Sequence, residues 1–184
     1  MTTMTAMPHA VEGWTVADLE SLPADGLRYE LVDGILLVSP APRPVHQEAI
    51  GELFVLLRAA RPEDFKVYVV PLDWQPDDVT SLQPDLLVVR RADVRARNIV
   101  APLVLAVEVL SRSTRRYDEV FKASVYAEHG VASYWIVDPD EPSIVAYDLV
   151  DGAYEEVGRT AGDESVTLAR PFEVTVTPKS LVSG

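Results

Sequence analysis

Residues 103–110 have the sequence Leu103-Val104-Leu105-Ala106-Val107-Glu108-Val109-Leu110, with a single charge among aliphatic side chains. Such a run is typical of a strand that is buried on both faces of a sheet. A carboxylate is rarely buried unless it is paired with a cation or coordinates a metal. Glu108 therefore lies at an exposed strand end or has a specific chemical role.

The segment after this run is the most basic short segment of the chain. It has the sequence Ser111-Arg112-Ser113-Thr114-Arg115-Arg116 and leads into a helical pattern over residues 118–129. At 100° per residue, Lys122 lies between Val125 and Tyr126 on an apolar face, so we expect it to face the core. A lysine there extends its amine to solvent or points at an anion held by the sheet.

Three elements upstream of the run carry polar residues of interest. Asp85 begins an apolar strand, and His46 opens an amphipathic helix that extends to about Ala60. Glu30 lies on the first strand of a predicted hairpin. The turn of that hairpin is Asp33-Gly34, a pair that supplies the positive φ values of a two-residue turn.

The length and composition indicate one folded domain. A chain of 184 residues with a hydrophobic fraction of 48% can bury a core without disulfides, and it contains no cysteine. We predict that residues 1–12 form a disordered N-terminus, that residues 13–178 form one domain, and that residues 179–184 form a C-terminal tail. The pattern of elements predicts an α+β fold on a mixed, curved sheet, with added hairpins.

The net charge of -13 limits the classes of partner. Acidic surfaces repel nucleic acid, and Lys and Arg supply the sequence-independent part of DNA affinity. The charge argues against a dedicated DNA-binding module, but not against a phosphodiesterase whose acids are offset by a divalent metal. No apolar run approaches the roughly twenty residues that span a bilayer. Because residues 1–10 show no export signal, we expect a cytoplasmic protein.

Charge balance gives a physical reason to group Asp85, Glu108 and Lys122. Two carboxylates about 4 Å apart repel by about 4 kcal/mol at an effective dielectric constant of 20, and a divalent cation turns this repulsion into attraction. Oxygen ligands favour Mg²⁺ or Mn²⁺. Such an ion polarises a phosphoryl oxygen and lowers the pKa of bound water. The amine of Lys122 could then orient that water or stabilise charge on phosphate.

Several ordered motifs also occur in this chain. They are Tyr29-Glu30-Leu31-Val32-Asp33-Gly34, the helix start at His46, Gln83-Pro84-Asp85 with residues 86–89, residues 108–114, Lys122, Tyr126, Gly130-Val131 and residues 134–139. Together they resemble the Uma-type family of restriction-endonuclease-like proteins, a branch of the PD-(D/E)xK nuclease superfamily. The resemblance extends over about 14–176 in the chain. It implies a central mixed sheet flanked by helices.

The resemblance also implies roles for individual residues. Asp85 and Glu108 correspond to metal-binding acids, and the backbone carbonyl of Val109 to a further ligand. The superfamily's commonest lysine position is two residues after the second acid, where this chain has Leu110. An alternative position on the following helix matches Lys122. The implied activity is Mg²⁺- or Mn²⁺-dependent endonuclease cleavage.

Further residues enter through the same resemblance. Glu30 is implied as an accessory acid near the metal, and His46 is a further candidate. Arg112 stands where the family usually has proline, so the turn after Glu108 differs from the family's. Arg112, Arg115 and Arg116 are candidates for contacts to substrate phosphate. We expect a nucleic acid substrate, DNA in the first place, and a homodimer, because the superfamily often cuts duplexes in pairs.

Each candidate also has a structural interpretation. Asp85 can be a strand-start residue, Glu30 a polar hairpin residue and His46 a helix-start residue. Glu108 can form a structural ion pair, with Lys122 as its partner, and Lys122 can simply extend its amine to solvent. The basic turn can be a solvated loop.

Two functions remain open from the sequence. The first is a metal-dependent endonuclease that hydrolyses phosphodiester bonds of DNA, with Asp85 and Glu108 as ligands and Lys122 assisting attack by water. The second is a catalytically silent nuclease-fold protein that acts as an interaction or regulatory subunit. The net charge of -13 favours the second, and so does the lack of a recognisable DNA-reading domain in the sequence.

Overall fold

The computed structural model describes residues 13–23, 25–39, 41–111 and 121–183, and the backbone alone of residues 5–7. Its strands and helices in chain order are β1 (Thr5–Met7), α1 (Val16–Leu19), β2 (Arg28–Val32), β3 (Ile35–Ser39), α2 (Pro44–Ala60), β4 (Phe65–Val69), β5 (Leu86–Arg90), β6 (Leu105–Val109), α3 (Ala123–Glu128), β7 (Ser133–Asp138), β8 (Ser143–Val150), β9 (Ala153–Ala161), β10 (Val166–Leu168) and β11 (Val174–Val176). Among the described residues, short 3-10 helices cover Arg91–Asp93 and Pro178–Leu181.

A six-stranded sheet forms the centre of the fold, in the strand order β4-β5-β6-β7-β8-β9. The β6–β7 pair is parallel, and the other neighbouring pairs are antiparallel. α3 lies in the connection between the two parallel strands, which need a crossover to run in the same direction. The predicted α+β fold on a mixed sheet is confirmed.

α2 covers one face of this sheet. Its buried residues recur at helical spacing and include Ala49, Ile50, Leu53 and Leu57. They pack on alternate residues of β5 and β6, which are Leu86, Val88, Leu105, Val107 and Val109. The helix predicted over residues 45–60 is confirmed, and it starts at Pro44 because proline at the first helical position gives up no hydrogen bond.

The intervening residues of β5 and β6 face the other side. Their partners there include Trp74 and the α3 residues Val125 and Tyr126. Both faces of these strands are therefore covered, which explains why they are mainly aliphatic. Glu108 follows Val107 in β6, so its side chain projects to the α3 side of the sheet.

Two further sheets flank the central one. The β2–β3 hairpin belongs to a three-stranded sheet of order β1-β3-β2, and β10 and β11 form a two-stranded antiparallel sheet. The hairpin turn has φ values of 47° at Asp33 and 77° at Gly34, and the β8–β9 turn has 48° at Asp151 and 86° at Gly152. The Asp151-Gly152 pair predicts a second hairpin in the same way as Asp33-Gly34, and both hairpins are confirmed, because these residues tolerate positive φ.

Two element boundaries differ from those that the sequence predicts. Thr15 followed by Asp18 predicts a capping box that opens a helix of about two turns before Pro23. The side chain of Asp18 accepts the backbone N–H of Thr15 at 2.9 Å, as that box requires, but α1 ends at Leu19 after about one turn. The apolar pattern of residues 66–74 predicts one strand, and the observed strand ends at Val69. Pro71 has no N–H to continue the ladder, and Trp74 instead bridges to Leu82.

Both ends of the chain contribute structure. Residues 5–7, within the segment expected to be disordered, pair with β3, because the outer edge of that strand is free to accept a partner. The expected tail begins inside the 3-10 helix of Pro178–Leu181, which contacts α2. Leu181 is fully buried there. Among the described helices, none has the length and apolar content needed to cross a membrane.

Candidate functional site

Three acidic side chains meet on the α3 side of the central sheet. We call Glu30, Asp85 and Glu108 the acid cluster; each is at most 2% exposed. Leu86 pairs with Val107, so Asp85 and Glu108 occupy the next positions on neighbouring strands. Glu30 arrives from β2 in the hairpin. Three segments distant in sequence thus place carboxylates at one point of the fold.

Glu108 is held by two residues near the start of α3. Lys122, which immediately precedes the helix, has its Nζ 3.0 Å from Glu108 Oε1. Tyr126 donates its hydroxyl to the same oxygen at 2.6 Å. Lys122 and Tyr126 are four residues apart, so they project from the same side of the helical segment. The Glu108–Lys122 ion pair that the sequence left open as a structural alternative is present.

Lys122 also contacts the hairpin. Its Nζ lies 3.2 Å from Glu30 Oε1, and the backbone N–H of Gln83 donates to the same oxygen at 2.9 Å. The lysine is 2% exposed, in agreement with the inward orientation predicted from its helical position. A single ammonium group therefore joins two members of the acid cluster that belong to different sheets.

Asp85 has partners on both carboxylate oxygens. Oδ1 is 2.9 Å from Arg28 Nη1, and Oδ2 accepts the backbone N–H of Val109 at 2.8 Å. The Nε2 atom of His46 lies 3.3 Å from Oδ2. His46 reaches this position because α2 begins at Pro44 and presents its first turn to the start of β5. The contact of Val109 with the cluster is made through its N–H.

Arg28 also belongs to this site, although no sequence motif predicted a role for it. Its Nη2 lies 3.0 Å from Glu30 Oε1 and 3.9 Å from Glu108 Oε2, and it donates to the backbone carbonyl of Gln83. With the contact to Asp85, the guanidinium reaches all three acids. The two-residue period of a strand could have predicted this position for Arg28. Residues two apart in β2 share a face, and Arg28 is two residues from Glu30.

The cations determine the protonation of the cluster. Burial raises the pKa of Asp85, but the charge of Arg28 and the hydrogen bond from His46 outweigh it and hold that pKa well below its usual range. Burial likewise opposes ionisation of Glu30, and Arg28 and Lys122 lower its pKa overall. Burial and the charge of Glu108 raise the pKa of Tyr126 well above its ordinary value, so the hydroxyl remains a donor.

The donor set suits a hard divalent cation by its chemistry. Glu30, Asp85 and Glu108 supply carboxylate oxygens, the ligands that Mg²⁺ and Mn²⁺ prefer, and His46 adds a nitrogen. In the described part of the chain, however, no group of three or more His, Asp and Glu side chains is arranged as a ready metal site. The oxygens are engaged instead by Arg28 and Lys122.

The candidate phosphate contacts cannot be placed in this site. Arg112, Arg115 and Arg116 lie outside the described residues, as does the first part of the helix predicted over 118–129. Of the other predicted residues, Glu30, His46, Asp85, Glu108 and Lys122 are brought together. Arg28 and Tyr126 are additional members.

Comparisons with known proteins place this arrangement in context. A family model described as "Uma2: Putative restriction endonuclease" matches residues 16–179. A crystal structure described as a "putative nuclease belonging to DUF820" from Anabaena variabilis superposes with a TM-score of 0.74. The two chains are 19% identical, and the match covers 92% of this chain and 97% of that one, which shows a shared fold. No curated protein matches.

Proposed function

Because the chain belongs to the family whose model is described as "Uma2: Putative restriction endonuclease", we propose that it is a metal-dependent nuclease that hydrolyses phosphodiester bonds of DNA. The observation that carries the proposal is the convergence of the acid cluster with Lys122. Charged groups from β2, β5, β6 and the start of α3 meet at one buried point. Perturbed pKa values with specific charge partners are typical of functional sites.

The proposed roles are those that the family resemblance implies for these residues. Asp85 and Glu108, with Glu30 as accessory acid and the Val109 carbonyl as a further ligand, would hold Mg²⁺ or Mn²⁺. When bound, such an ion polarises a phosphoryl oxygen and lowers the pKa of a bound water. The amine of Lys122, which pairs with Glu108 and Glu30, can stabilise charge developing on phosphate.

Two neighbours support these groups. Tyr126 fixes the orientation of Glu108 through its hydroxyl, and His46 lies beside Asp85 at 3.3 Å. Groups whose own orientation is held by hydrogen bonds are better placed for binding and catalysis. Phosphate contacts from Arg112, Arg115 and Arg116, a homodimer and a cytoplasmic location are further parts of the proposal.

A cleavage assay tests the proposed activity. The purified chain is incubated at low salt with supercoiled and linear DNA, and in parallel with RNA, in the presence of Mg²⁺, Mn²⁺ or a chelator. We expect DNA strand breaks with either metal and none with the chelator. Asp85→Asn should abolish cleavage, whereas Asp140→Asn, which changes a partly exposed acid paired with Arg43, should not.

Circular dichroism and a melting curve establish that both variants are folded. Cleavage that persists in folded Asp85→Asn, or in the presence of the chelator, contradicts the assigned ligands. A wild-type chain that cleaves neither DNA nor RNA contradicts the nuclease.

A second function has a specific observation in its favour. Arg28 and Lys122 already satisfy the acid cluster, as expected of a nuclease-fold protein that no longer cuts and serves as an interaction or regulatory subunit. The net charge of -13 is in keeping with this alternative. Binding of Mg²⁺ to the native state raises the melting temperature, so a melting temperature that does not respond to Mg²⁺ or Mn²⁺, together with no cleavage, favours the silent protein.

A further inference from the structure

Arg28 occupies the space between the three acids in the way that a bound cation would. Its two terminal nitrogens lie 2.9 Å from Asp85, 3.0 Å from Glu30 and 3.9 Å from Glu108. Each of these contacts uses a carboxylate oxygen, the type of ligand that Mg²⁺ and Mn²⁺ prefer. A guanidinium is permanently charged and presents several donors in one plane, which suits it to bridging carboxylates.

The exposure of the two site cations differs. The side chain of Arg28 is 24% exposed, whereas that of Lys122 is 3% exposed and those of the acids are 2–3% exposed. Arg28 is therefore the cation at the solvent side of the site. Its partial exposure means that this side chain already contacts solvent, whereas that of Lys122 is almost completely buried.

The contacts of Arg28 are also incomplete. Its Nε atom is buried and has no hydrogen-bond partner. A buried donor without a partner is unfavourable, and it would regain hydrogen bonds in water. The attraction of the acids holds Arg28 in the cluster, whereas the Nε–H without a partner makes this position less favourable.

Charge repulsion gives a physical reason to expect that Arg28 and a divalent ion do not share these carboxylates. Arg28 lies 2.9 Å from Asp85 and 3.0 Å from Glu30 at buried positions, where charge interactions are only weakly screened. A second cation held by the same carboxylates would lie close to the guanidinium, and the repulsion is relieved if the guanidinium leaves.

We propose that Arg28 competes with a divalent metal ion for the carboxylates of Glu30, Asp85 and Glu108, an inference that rests on the proposed function. In the metal-free protein, Arg28 holds the mutually repelling acids together. Binding of the ion requires the guanidinium to leave the cluster for solvent. Arg28 is thus a positioning residue that keeps the site assembled and sets its metal affinity.

Calorimetric titration with Mn²⁺ alone tests this competition. We compare the wild-type chain with Arg28→Gln and with Arg43→Gln, a control that removes an arginine paired with Asp140 outside the cluster. We expect Arg28→Gln to bind Mn²⁺ at least tenfold more tightly than wild type and Arg43→Gln to bind it equally. A purely structural role predicts the opposite sign, because a loosened cluster binds an ion less well. An affinity in Arg28→Gln that is equal to or below that of wild type overturns the proposal.

A measurement on the wild-type chain does not depend on the folding of the variant. In the metal-free protein, NMR should show separate, slowly exchanging Nη signals for the Arg28 guanidinium, assigned by their loss in Arg28→Lys. Titration with diamagnetic Mg²⁺ should merge them as the side chain enters water. Signals that stay separate at Mg²⁺ saturation overturn the proposal, and so does the absence of any metal binding in both wild type and Arg28→Gln.

The outcomes separate the two proposals. Tighter Mn²⁺ binding by Arg28→Gln without DNA cleavage by wild type supports the competition and contradicts the nuclease. Metal-dependent cleavage by wild type with unchanged Mn²⁺ affinity in Arg28→Gln supports the nuclease and overturns the competition.

Discussion

Lys122 and Glu30 are 92 residues apart in the chain, and their Nζ and Oε1 atoms are 3.2 Å apart. The same Nζ lies 3.0 Å from Glu108 Oε1. One buried ammonium therefore connects the β2–β3 hairpin to the central sheet. It also neutralises part of the charge that the two carboxylates bring into the interior.

Replacing Lys122 should strongly destabilise the fold. Lys122→Met keeps most of the side-chain volume but leaves two buried carboxylates without their shared cation, which costs about 3–5 kcal/mol in the free energy of unfolding. Lys179→Met is the matched control, because Lys179 pairs with Asp163 at 2.9 Å on the surface. We expect that control to change stability little. Urea unfolding measures both, and equal effects of the two variants would contradict a buried, charge-compensating role.

The hydroxyl of Tyr126 should contribute to stability through its bond to Glu108. Tyr126→Phe removes a buried donor to a charged acceptor and is expected to cost about 1.5–3 kcal/mol. Tyr29→Phe deletes a hydroxyl with the same type of partner, the carboxylate of Asp25 at 2.9 Å, but on the exposed surface. That variant should unfold at the same urea concentration as wild type. A Tyr126→Phe variant as stable as Tyr29→Phe would show that Glu108 finds another donor.

Two glycines should respond to alanine with opposite signs. Gly34 has a φ of 77° in the β2–β3 turn, where an L side chain is strained, so Gly34→Ala should lower stability by about 1–2 kcal/mol. Gly51 is an exposed residue of α2 with open space around its Cα. Gly51→Ala should raise stability by about 0.5–1 kcal/mol through helix propensity. Thermal and urea unfolding check both values, and a neutral Gly34→Ala would contradict the turn geometry.

His129 should stabilise the protein more at low pH than at high pH. Its Nδ1 and Nε2 atoms each lie 2.9 Å from an acceptor, the Val125 carbonyl and Asp77 Oδ2, so the doubly protonated ring satisfies both. Burial lowers its pKa, but the hydrogen bonds to Val125 and Asp77 outweigh it and raise the pKa above the ordinary 6.5. The charged ring contributes below about 1 kcal/mol to the free energy of unfolding, because the pair is partly exposed. This contribution is complete below pH 6.5 and is lost as the pH rises through the folded-state pKa of His129.

Urea unfolding of wild type and His129→Gln at pH 5.5 and pH 8.5 measures this effect as the difference in the free energy of unfolding between the two proteins. A tenfold change in the unfolding constant corresponds to about 1.4 kcal/mol. We expect a larger difference between the two proteins at the lower pH. Asp77→Asn should reduce that pH dependence, since the carboxylate is one of the groups that favour the charged ring. A difference that is the same at both pH values contradicts the raised pKa.

The sequence was most informative where local patterns determine structure. The 3.6-residue period of α2 and the two Asp-Gly turns specify their elements without help from the rest of the chain. The anomalous charges of Glu108 and Lys122 pointed to the site, because few arrangements tolerate them in apolar surroundings. Residues 66–74 were harder, since their apolar character continues beyond the point at which Pro71 ends the ladder.

The remainder of the site depends on tertiary contacts that no local pattern encodes. Arg28 is the first residue of a hairpin strand, a position where a charged residue is ordinary. Its importance arises only when that hairpin packs next to Asp85 and Glu108. The pairing of residues 5–7 with β3 is similar, because a short edge strand without strong alternation gains its partner from the fold and not from its own sequence.

The hydrogen bond between Tyr126 and Glu108 also gives the protein a built-in optical signal. The Tyr126 ring lies 5.4 Å from the ring of Trp74, measured between centroids, and Trp74 is completely enclosed. Trp135 belongs to the core on the opposite face of the sheet. A change at Glu108 that moves Tyr126 therefore alters the surroundings of the Trp74 indole, while Trp135 lies across the sheet. We expect tryptophan emission to respond to the state of the acid cluster without any added label.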